Sequence, residues 1–294
     1  SDLNDEQKVL FKRKLIEESI TLIKNQEGLI PIKDLDKIKI ASLAVDTFGI
    51  NAFQQTLHLY DSADIFHITK KTKKEEFKEL KEKLAGYDLL IISLNHLSSY
   101  NVKTFGLTDQ IVQFLNQLNK ESKILLVNFG SPYALKYFNS FKNILQVYQD
   151  DGDYESLAAQ AIFGGIPIKG KLPVSPTWNM KYRQGIAINN TIRLKYTIPE
   201  EVGISSQKLN LIDTIALNAI RIGATPGCQV LVTKDNKVIY NKSFGYHTYE
   251  NKLPVLSTET KIGDIGSLLD MNLHLKEVDN KMELSVQCEP IQVM

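Results

Sequence analysis

Short apolar runs alternate with amphipathic stretches between residues 38 and 163 of this 294-residue chain, and this alternation restricts the fold more than any other feature. The apolar runs have the length of strands, and the segments between them have the 3.6-residue spacing of helices. The predicted strands are Ile38–Val45, Asp64–Ile68, Tyr87–Leu94, Lys123–Phe129 and Asn143–Tyr148, and the predicted helices include Asn51–Tyr60, Thr108–Asn119 and Tyr154–Phe163. Most of these strands are apolar without alternation, as expected of strands covered on both faces. The pattern predicts an α/β fold with an open, mostly parallel sheet and helices on both faces.

Two further helices are predicted, one before this region and one within it. Apolar residues from Val9 to Ile23 recur near a 3.6-residue period, which predicts one helix over Lys8–Lys24. The pattern Thr72-x-x-Glu75 has the spacing of a capping box, so we expect it to begin the helix that follows.

The character of the chain changes after Gly164, where Gly, Pro and polar residues dominate as far as Ile198. Beyond it, a helix is predicted at Ser206–Ile222, and two strands, Cys228–Thr233 and Lys237–Phe244, have the spacing of a hairpin. We therefore divide the chain into an α/β domain (1–176), a linker (177–197) and a small α+β unit with an antiparallel sheet (198–294).

The tail regains alternation between Met282 and Cys288, which is typical of a half-buried strand. An isolated two-stranded hairpin is marginally stable in water. We therefore expect residues 272–288 to pair beside the hairpin of residues 228–244.

Composition excludes several classes of function. Lys and Arg number 35 against 34 Asp and Glu, so the chain lacks the basic excess that nucleic acids attract, and no nucleic-acid partner is expected. No apolar run approaches the roughly 20 residues of a membrane span. Cys228 and Cys288 stand far apart and the five His form no cluster, which argues against a metal centre. The pair Gly164-Gly165 follows a helix instead of opening one, so we predict no phosphate cradle and no cofactor.

Polar residues follow the predicted strands at the edge where parallel α/β sheets bind ligands. They are Asp46, Asn95, His96, Asn128, Gln149 and Asp150. We predict Asn95, His96 and Asn128 as substrate-binding residues. A solvated or capped histidine is the competing interpretation of His96.

Three other features have competing interpretations. Asp150, Asp151 and Asp153 lack the Gly and distal Glu of a calcium loop, so we expect Asp153 to cap a helix. Trp178 either stacks on a sugar or anchors a Pro-flanked linker by docking, and docking is favoured. The basic run 70–74 lies beside acidic residues and is interpreted as a solvated helix face.

Two segments together resemble the C-terminal α/β domain of glycoside hydrolase family 3. Glu18–Asn25 followed by Gly28-Leu29-Ile30-Pro31-Ile32 is similar to the motif that opens this domain. Ala161–Gly165 followed by Gly170-Lys171-Leu172-Pro173-Val174 is similar to the motif that closes it. The turn Asn128–Tyr133 resembles the N-acetylglucosaminidase branch. The resemblance covers residues 15–176 and implies a parent that acts on β-linked N-acetylhexosamine, as in peptidoglycan.

Residues 198–262 resemble the beginning of the serine β-lactamase and penicillin-binding family. The segments Pro226–Val232 and Lys237–Tyr246 are similar to its first hairpin. This family requires Ser-x-x-Lys and a Lys-Thr-Gly strand. Ser267 stands at the nucleophile-like position, but Asp270 occupies the place of the Lys and no Lys-Thr-Gly follows. We therefore expect an incomplete domain in which Ser267 is inactive.

The first resemblance also implies what catalysis needs. A retaining glycosidase uses a carboxylate nucleophile and a general acid. The resemblance implies that the nucleophile, and in the N-acetylglucosaminidase branch the acid–base group as well, lies on a barrel domain that we do not expect before residue 15. The sequence thus predicts a non-catalytic fragment with no catalytic residue, which meets carbohydrate through the missing barrel. The resemblance implies a bacterial periplasmic or cell-envelope parent. The alternatives are a serine hydrolase of the penicillin-binding class and a flavodoxin-like binding module.

Overall fold

The computed structural model describes residues 6–98, 103–258, 269–278 and 281–290, and of the last two ranges the backbone alone. The strands are β1 (Thr21–Asn25), β2 (Ile40–Val45), β3 (Asp64–Ile68), β4 (Leu89–Leu94), β5 (Ile124–Asn128), β6 (Asn143–Gln146), β7 (Lys195–Tyr196), β8 (Gly227–Lys234), β9 (Lys237–Gly245), β10 (Leu269–Val278) and β11 (Lys281–Pro290). The α-helices are α1 (Glu6–Ser19), α2 (Ala52–Leu57), α3 (Lys74–Leu84), α4 (Asp109–Glu121), α5 (Gly152–Ile162), α6 (Ser206–Leu209) and α7 (Leu211–Arg221).

Six strands form one sheet in the order β1-β6-β5-β4-β2-β3. Strands β2 to β6 are parallel, and β1 joins the edge antiparallel to β6. Helices α1, α2 and α5 pack on one face, and α3, α4 and the 3₁₀ helix Pro132–Phe138 pack on the other. The predicted α/β class, with an open, mostly parallel sheet and helices on both faces, is confirmed.

The prediction of one helix over Lys8–Lys24 is wrong. Helix α1 ends at Ser19, and β1 follows after one residue. Ile20 and Ile23 continue the helical spacing in the sequence, yet Ile20 directly precedes β1, Ile23 lies within it, and both are buried. Pairing with β6, far along the chain, overrides the local preference because it satisfies the backbone polar groups of a buried segment.

The opening and closing motifs contact each other along β1. The Ile32 amide donates to the Ile162 carbonyl at 3.0 Å, and the Gly170 amide donates to the Ile20 carbonyl at 3.1 Å. The segment predicted as a linker continues this packing, since the Ile186 amide donates to the Leu22 carbonyl at 2.8 Å. Both motifs therefore belong to one structural feature, the β1 edge of the six-stranded sheet.

Helix α3 begins one residue later than the pattern Thr72-x-x-Glu75 predicts. The Glu76 carboxylate accepts from the Lys73 amide at 2.6 Å, which is the reciprocal bond of a capping box displaced by one position. The Thr72 hydroxyl instead accepts from the Thr69 amide in the preceding turn.

The second sheet contains β7, β9 and β8 in that order, with β8 and β9 forming the predicted antiparallel hairpin. Its turn places Asp235 and Asn236 at φ 51° and 58°, as a two-residue type I′ turn requires. The predicted helix Ser206–Ile222 is divided into α6 and α7 at Asn210. Together the helices and the sheet form the small α+β unit, whose core is Val202, Leu209, Ile212, Val232, Ile239 and Tyr240.

The predicted pairing of residues 272–288 with the hairpin is wrong. Strands β10 and β11 pair with each other in a separate two-stranded sheet. The third strand of the hairpin sheet is β7, which runs parallel to β9 through Lys195 and Tyr196. Alternation thus predicted strands in the tail but not their partners. It indicates which residues of a strand share a face, but it does not indicate which other strand pairs with it.

Polar contacts join the small unit to helix α1 and helix α5. The Lys195 ammonium is almost buried and lies 2.6 Å from Glu17 Oε1 and 2.8 Å from Glu201 Oε1. The Tyr196 amide donates to Gln160 Oε1 at 2.8 Å. The division at 176, 197 and 198 remains a prediction.

Candidate functional site

The polar residues that follow the parallel strands lie at the carboxyl edge of the sheet, since parallel strands end on one side. Asp46 follows β2, Asn95 and His96 follow β4, and Asn128 is the last residue of β5. Asp150 lies in the loop between β6 and α5. We call the group Asp46, Asn95, His96, Asp150 and Glu155 the edge cluster.

Glu155 is the centre of the edge cluster, and the sequence did not reveal it. Its carboxylate accepts from the Ala52 amide at 3.0 Å and from Asn95 Nδ2 at 3.1 Å. Asn51 Nδ2 lies 3.4 Å from the same oxygen as Asn95. The residue is 7% exposed, and burial raises the pKa of Glu155 although amides of α2 oppose the shift. This carboxyl ties β4, α2 and α5 together.

His96 is the exposed member of the edge cluster, with a side chain 63% accessible. It has φ 48°, and its amide donates to Asp150 Oδ2 at 2.6 Å. His96 Nδ1 lies 2.7 Å from the carbonyl oxygen of Asp46. Because a carbonyl oxygen only accepts, this contact assigns a proton to Nδ1, and Nε2 is the acceptor when the ring is neutral. Nε2 lies 4.0 Å from Asp150 Oδ2.

Asp46 has its own partner beside His96. Its carboxylate lies 2.7 Å from the Lys70 ammonium, and its backbone has φ 64°. The loop that follows exposes Phe48 (86% accessible) and Ile50. The edge therefore combines an imidazole acceptor, an ion pair and exposed apolar side chains, which is a mixture suited to binding a partly polar ligand.

Asn128 belongs to a separate cluster. It is fully buried, and its Nδ2 donates to Gln146 Oε1 at 2.6 Å and to the Ser131 carbonyl at 3.1 Å. Gln146 Nε2 in turn donates to the Gly130 carbonyl at 2.7 Å. Asn128 therefore holds the turn at residues 130–131. The structure brings Asn95 and His96 together and leaves Asn128 outside their group.

The acidic run at residues 150–153 does not behave as predicted. Asp151, not Asp153, caps α5, because Asp151 Oδ1 accepts from the amides of Asp153 and Tyr154. Asp153 instead pairs with Arg13 and Lys12, each at 2.9 Å. Within the described residues, no group of three or more His, Cys, Asp or Glu side chains is placed to hold a metal ion.

The other candidate residues lie away from the edge. Trp178 is 81% exposed, so the docking-anchor interpretation is wrong for the part of the chain that the structure describes. Ser267 lies outside the described residues. Asp270 lies in β10, whose backbone is extended. Across the described ranges, no helix has both the length and the apolar character needed to cross a bilayer.

Comparison with known proteins gives structural matches alone. No family model and no curated protein matches the chain. A glycoside hydrolase family 3 β-N-acetylglucosaminidase from Paenibacillus sp. str. FPU-7 is similar over 60% of this chain and 34% of its own, at 14% identity and TM-score 0.49. Beta-glucoside phosphorylase BglX is similar over 60% and 34%, at 20% identity and TM-score 0.46.

A fungal multi-domain family 3 β-N-acetylglucosaminidase is similar over 99% of this chain and 31% of its own, at 16% identity and TM-score 0.49. The chain therefore spans about a third of the length of these solved structures, which are glycoside hydrolases of family 3 or described as a β-glucoside phosphorylase.

Proposed function

We propose that this chain is a non-catalytic part of a family 3 glycoside hydrolase whose parent acts on β-linked N-acetylhexosamine in bacterial carbohydrate or cell-wall metabolism. The observation that supports it is the contact between the opening and closing motifs. These motifs stand more than a hundred residues apart in the sequence, yet Ile32 bonds to Ile162 and Gly170 bonds to Ile20. The resemblance that rests on them therefore concerns one folded feature, not two separate matches.

The carboxylates at the carboxyl edge of the sheet already have hydrogen-bond or ion-pair partners, and this supports a binding role instead of a catalytic one. A retaining glycosidase needs two carboxyl groups about 5–5.5 Å apart, one free to attack and one to donate a proton. At the carboxyl edge Asp46 pairs with Lys70, Asp150 accepts from the His96 amide, and Glu155 accepts from Ala52 and Asn95. Each of them already holds a loop in place.

In this proposal His96 contacts the ligand, and Asn95 positions the loop that carries it. His96 has an exposed ring with Nε2 as an acceptor, whereas Asn95 and Asn128 are fully buried. Asn128 acts indirectly, because its hydrogen bonds to Gln146 and Ser131 hold the turn at residues 130–131. The small unit would be the start of a β-lactamase-like domain, with the linker and boundaries predicted above.

The serine hydrolase alternative is weakened by backbone geometry. Side chains three residues apart face each other on a helix but point to opposite sides of a strand. Leu269 and Asp270 lie in extended β10, so the second half of Ser267–Asp270 is not helical.

Turnover of 4-nitrophenyl N-acetyl-β-glucosaminide tests the proposal. The purified chain should release nitrophenol at the rate of a buffer blank. Glu155→Gln serves as the matched variant, because it keeps the size of the side chain and removes the charge. Turnover that survives repurification and is lost in Glu155→Gln would overturn the non-catalytic assignment.

Amide chemical shifts test the binding part separately. Chitobiose should shift the amides of residues 46–50 and 95–97 in the wild type and not in His96→Ala. His58→Ala is the control, because His58 bonds to the Ala63 carbonyl within its own loop. Equal shifts in both variants would contradict a binding role for His96.

A further inference from the structure

The loop of residues 173–185 projects two exposed aromatic side chains, Trp178 and Tyr182, from a fixed base. Thr177 and Met180 pair across its tip, with the Met180 amide donating to the Thr177 carbonyl at 3.3 Å. Met180 is fully buried and packs in the same core cluster as Leu172. Between the paired residues stands Trp178, the one tryptophan of the chain, with most of its surface in water.

Several hydrogen bonds hold the loop in one shape. The Arg183 amide donates to the Leu172 carbonyl, and the Leu172 amide donates to the Gln184 carbonyl, both at 2.8 Å. The Tyr182 amide donates to Ser175 Oγ at 2.8 Å. A ring presented on such a base loses little further conformational freedom when it binds a partner.

Amide groups flank the exposed ring. The Thr177 hydroxyl lies 2.7 Å from Asn179 Oδ1 and 3.4 Å from Asn139 Oδ1. Among the described residues, neither Asn139 nor Asn179 uses its side-chain N–H₂ in a hydrogen bond. Two pairs of donors are therefore available beside an apolar ring face, and this combination suits a sugar ring, which presents C–H groups on its face and hydroxyls on its rim.

The charged side chains of the loop itself are all positive. The sequence has no Asp or Glu between Glu155 and Glu200. Lys181 and Arg183 are exposed in the same loop, and within the described part of the chain neither side chain forms an ion pair. Unpaired cations of this kind favour an anionic partner, and Arg matches the geometry of a carboxylate in particular.

The loop lies at the end of the sheet opposite to the edge cluster. Thr177 contacts Asn139, which precedes β6, and Gln184 Nε2 donates to the Ile23 carbonyl in β1. Because β6 begins there, this is the amino end of the parallel strands, whereas His96 follows the carboxyl end of β4. The two sites are therefore distinct.

We propose that this loop binds a glycan chain that carries carboxylates. A pyranose face stacks on Trp178, the amides of Asn139 and Asn179 bond its hydroxyls, and Lys181 and Arg183 pair with its carboxylates. The proposal does not depend on the family 3 assignment. A lipid surface fits less well, because the amide donors would stay unpaired in an apolar phase.

Tryptophan fluorescence tests the proposal on the full chain, because Trp178 is the sole tryptophan and reports on this loop alone. A hyaluronan hexasaccharide should shift the emission to shorter wavelength in a saturable, salt-sensitive manner. Chitohexaose shares its N-acetylglucosamine units but has no carboxylates, and it should bind about tenfold more weakly.

Two variants separate charge from fold. Lys181→Glu with Arg183→Glu should reduce the affinity for the hyaluronan hexasaccharide to that for chitohexaose or below. Lys71→Glu with Lys120→Glu makes the same change in charge at exposed positions elsewhere and should leave the affinity within about twofold. Trp178→Ala, followed by calorimetry, should lower the affinity about tenfold with unchanged far-UV circular dichroism.

Three outcomes would overturn the proposal. The first is no emission shift with either hexasaccharide. The second is an equal loss of affinity in both charge-reversal variants, which would mean that the net charge of the protein, and not this loop, determines binding. The third is a shift seen solely with anionic phosphatidylglycerol vesicles or with an oligothymidylate, which would assign the loop to a membrane or to single-stranded nucleic acid.

Discussion

Gly170 has no room for a side chain. A Cβ there would overlap the backbone oxygens of Ser19 and Ile20 and lie 2.6 Å from Thr21 Oγ1, and these atoms belong to the junction between α1 and β1. Gly170→Ala must therefore displace backbone, and we expect it to lower the free energy of unfolding by about 2–3 kcal/mol. Urea unfolding followed by circular dichroism measures the loss.

Gly86→Ala is the matched control, because a Cβ at Gly86 meets no atom within 4 Å. It should leave stability unchanged or raise it by about 0.5 kcal/mol through the unfolded chain. Equal effects of the two substitutions would mean that the closing motif does not pack tightly against β1.

The buried carboxyl of Glu155 should make the free energy of unfolding depend on pH. Burial raises the pKa of Glu155, so ionisation costs more in the folded chain than in the unfolded chain. Its contribution to stability is therefore most favourable below the unfolded pKa of about 4.3 and declines as the pH rises through the folded pKa. Glu155→Gln removes this decline.

The cost of Glu155→Gln should consequently be larger at pH 4 than at pH 7 in urea unfolding at both pH values. Glu155→Ala should cost roughly 2–4 kcal/mol at pH 7 and more at pH 4, since it also leaves the Ala52 amide and Asn95 Nδ2 without their partner. A pH-independent cost of Glu155→Gln would contradict the raised pKa.

At the scale of elements, Lys195 connects helix α1 with the small unit. Burial pushes the pKa of Glu201 up, but hydrogen bonds from Lys195 and Thr197 outweigh it and hold the pKa below its usual value. An acid with a lowered pKa stabilises the fold above its unfolded pKa, and this stability is lost as the pH falls through the folded pKa. The contact between α1 and the small unit should therefore weaken in acid.

Lys195→Met should cost about 3 kcal/mol near pH 7, because Glu17 then loses its cation and Glu201 is left with the more distant Lys237 ammonium at 3.7 Å. Adding Glu201→Gln should restore part of the loss. Thermal unfolding of the single and double variants at pH 7 and pH 4 checks both statements. The idea fails if the double variant is less stable than Lys195→Met.

Some elements of the fold were predictable from the sequence and others were not. The parallel strands were predictable because strands buried on both faces are continuous apolar runs, as in β4. Strand β1 was not, because Ile20 and Ile23 extend the helical period of α1. Strand β7 has two residues and no local signal. In the edge cluster, polar residues at strand ends could be predicted, whereas Glu155 could not, since its partners come from distant segments.

At the scale of the whole molecule, the cores are unequal. The six-stranded sheet separates two large clusters of buried apolar residues, and the small unit rests on one minor cluster around Leu209 and Ile239. Stability grows with buried apolar area, so we expect the small unit to unfold first. Cys228, a free and half-buried thiol in β8, reports on it.

In a Cys288→Ser background, urea should expose Cys228 to a thiol reagent at a midpoint about 1 M below the loss of far-UV circular dichroism. Cys228→Ser in the same background gives the blank for labelling. Coincident midpoints would instead indicate one cooperative unit.

Residues 13–17 and 195–196 meet at one corner of the six-stranded sheet, through Arg13 with the Tyr196 carbonyl and Glu17 with Lys195. Helix α1, which opens the α/β part, therefore lies against the segment by which the polypeptide leaves it. A host protein has to bridge only a short gap to carry such a piece, whether as an insertion within a loop or as an appended module. For the same reason a short peptide could join the two ends of this part. New termini could then be placed in a surface loop, which would give a circular permutant.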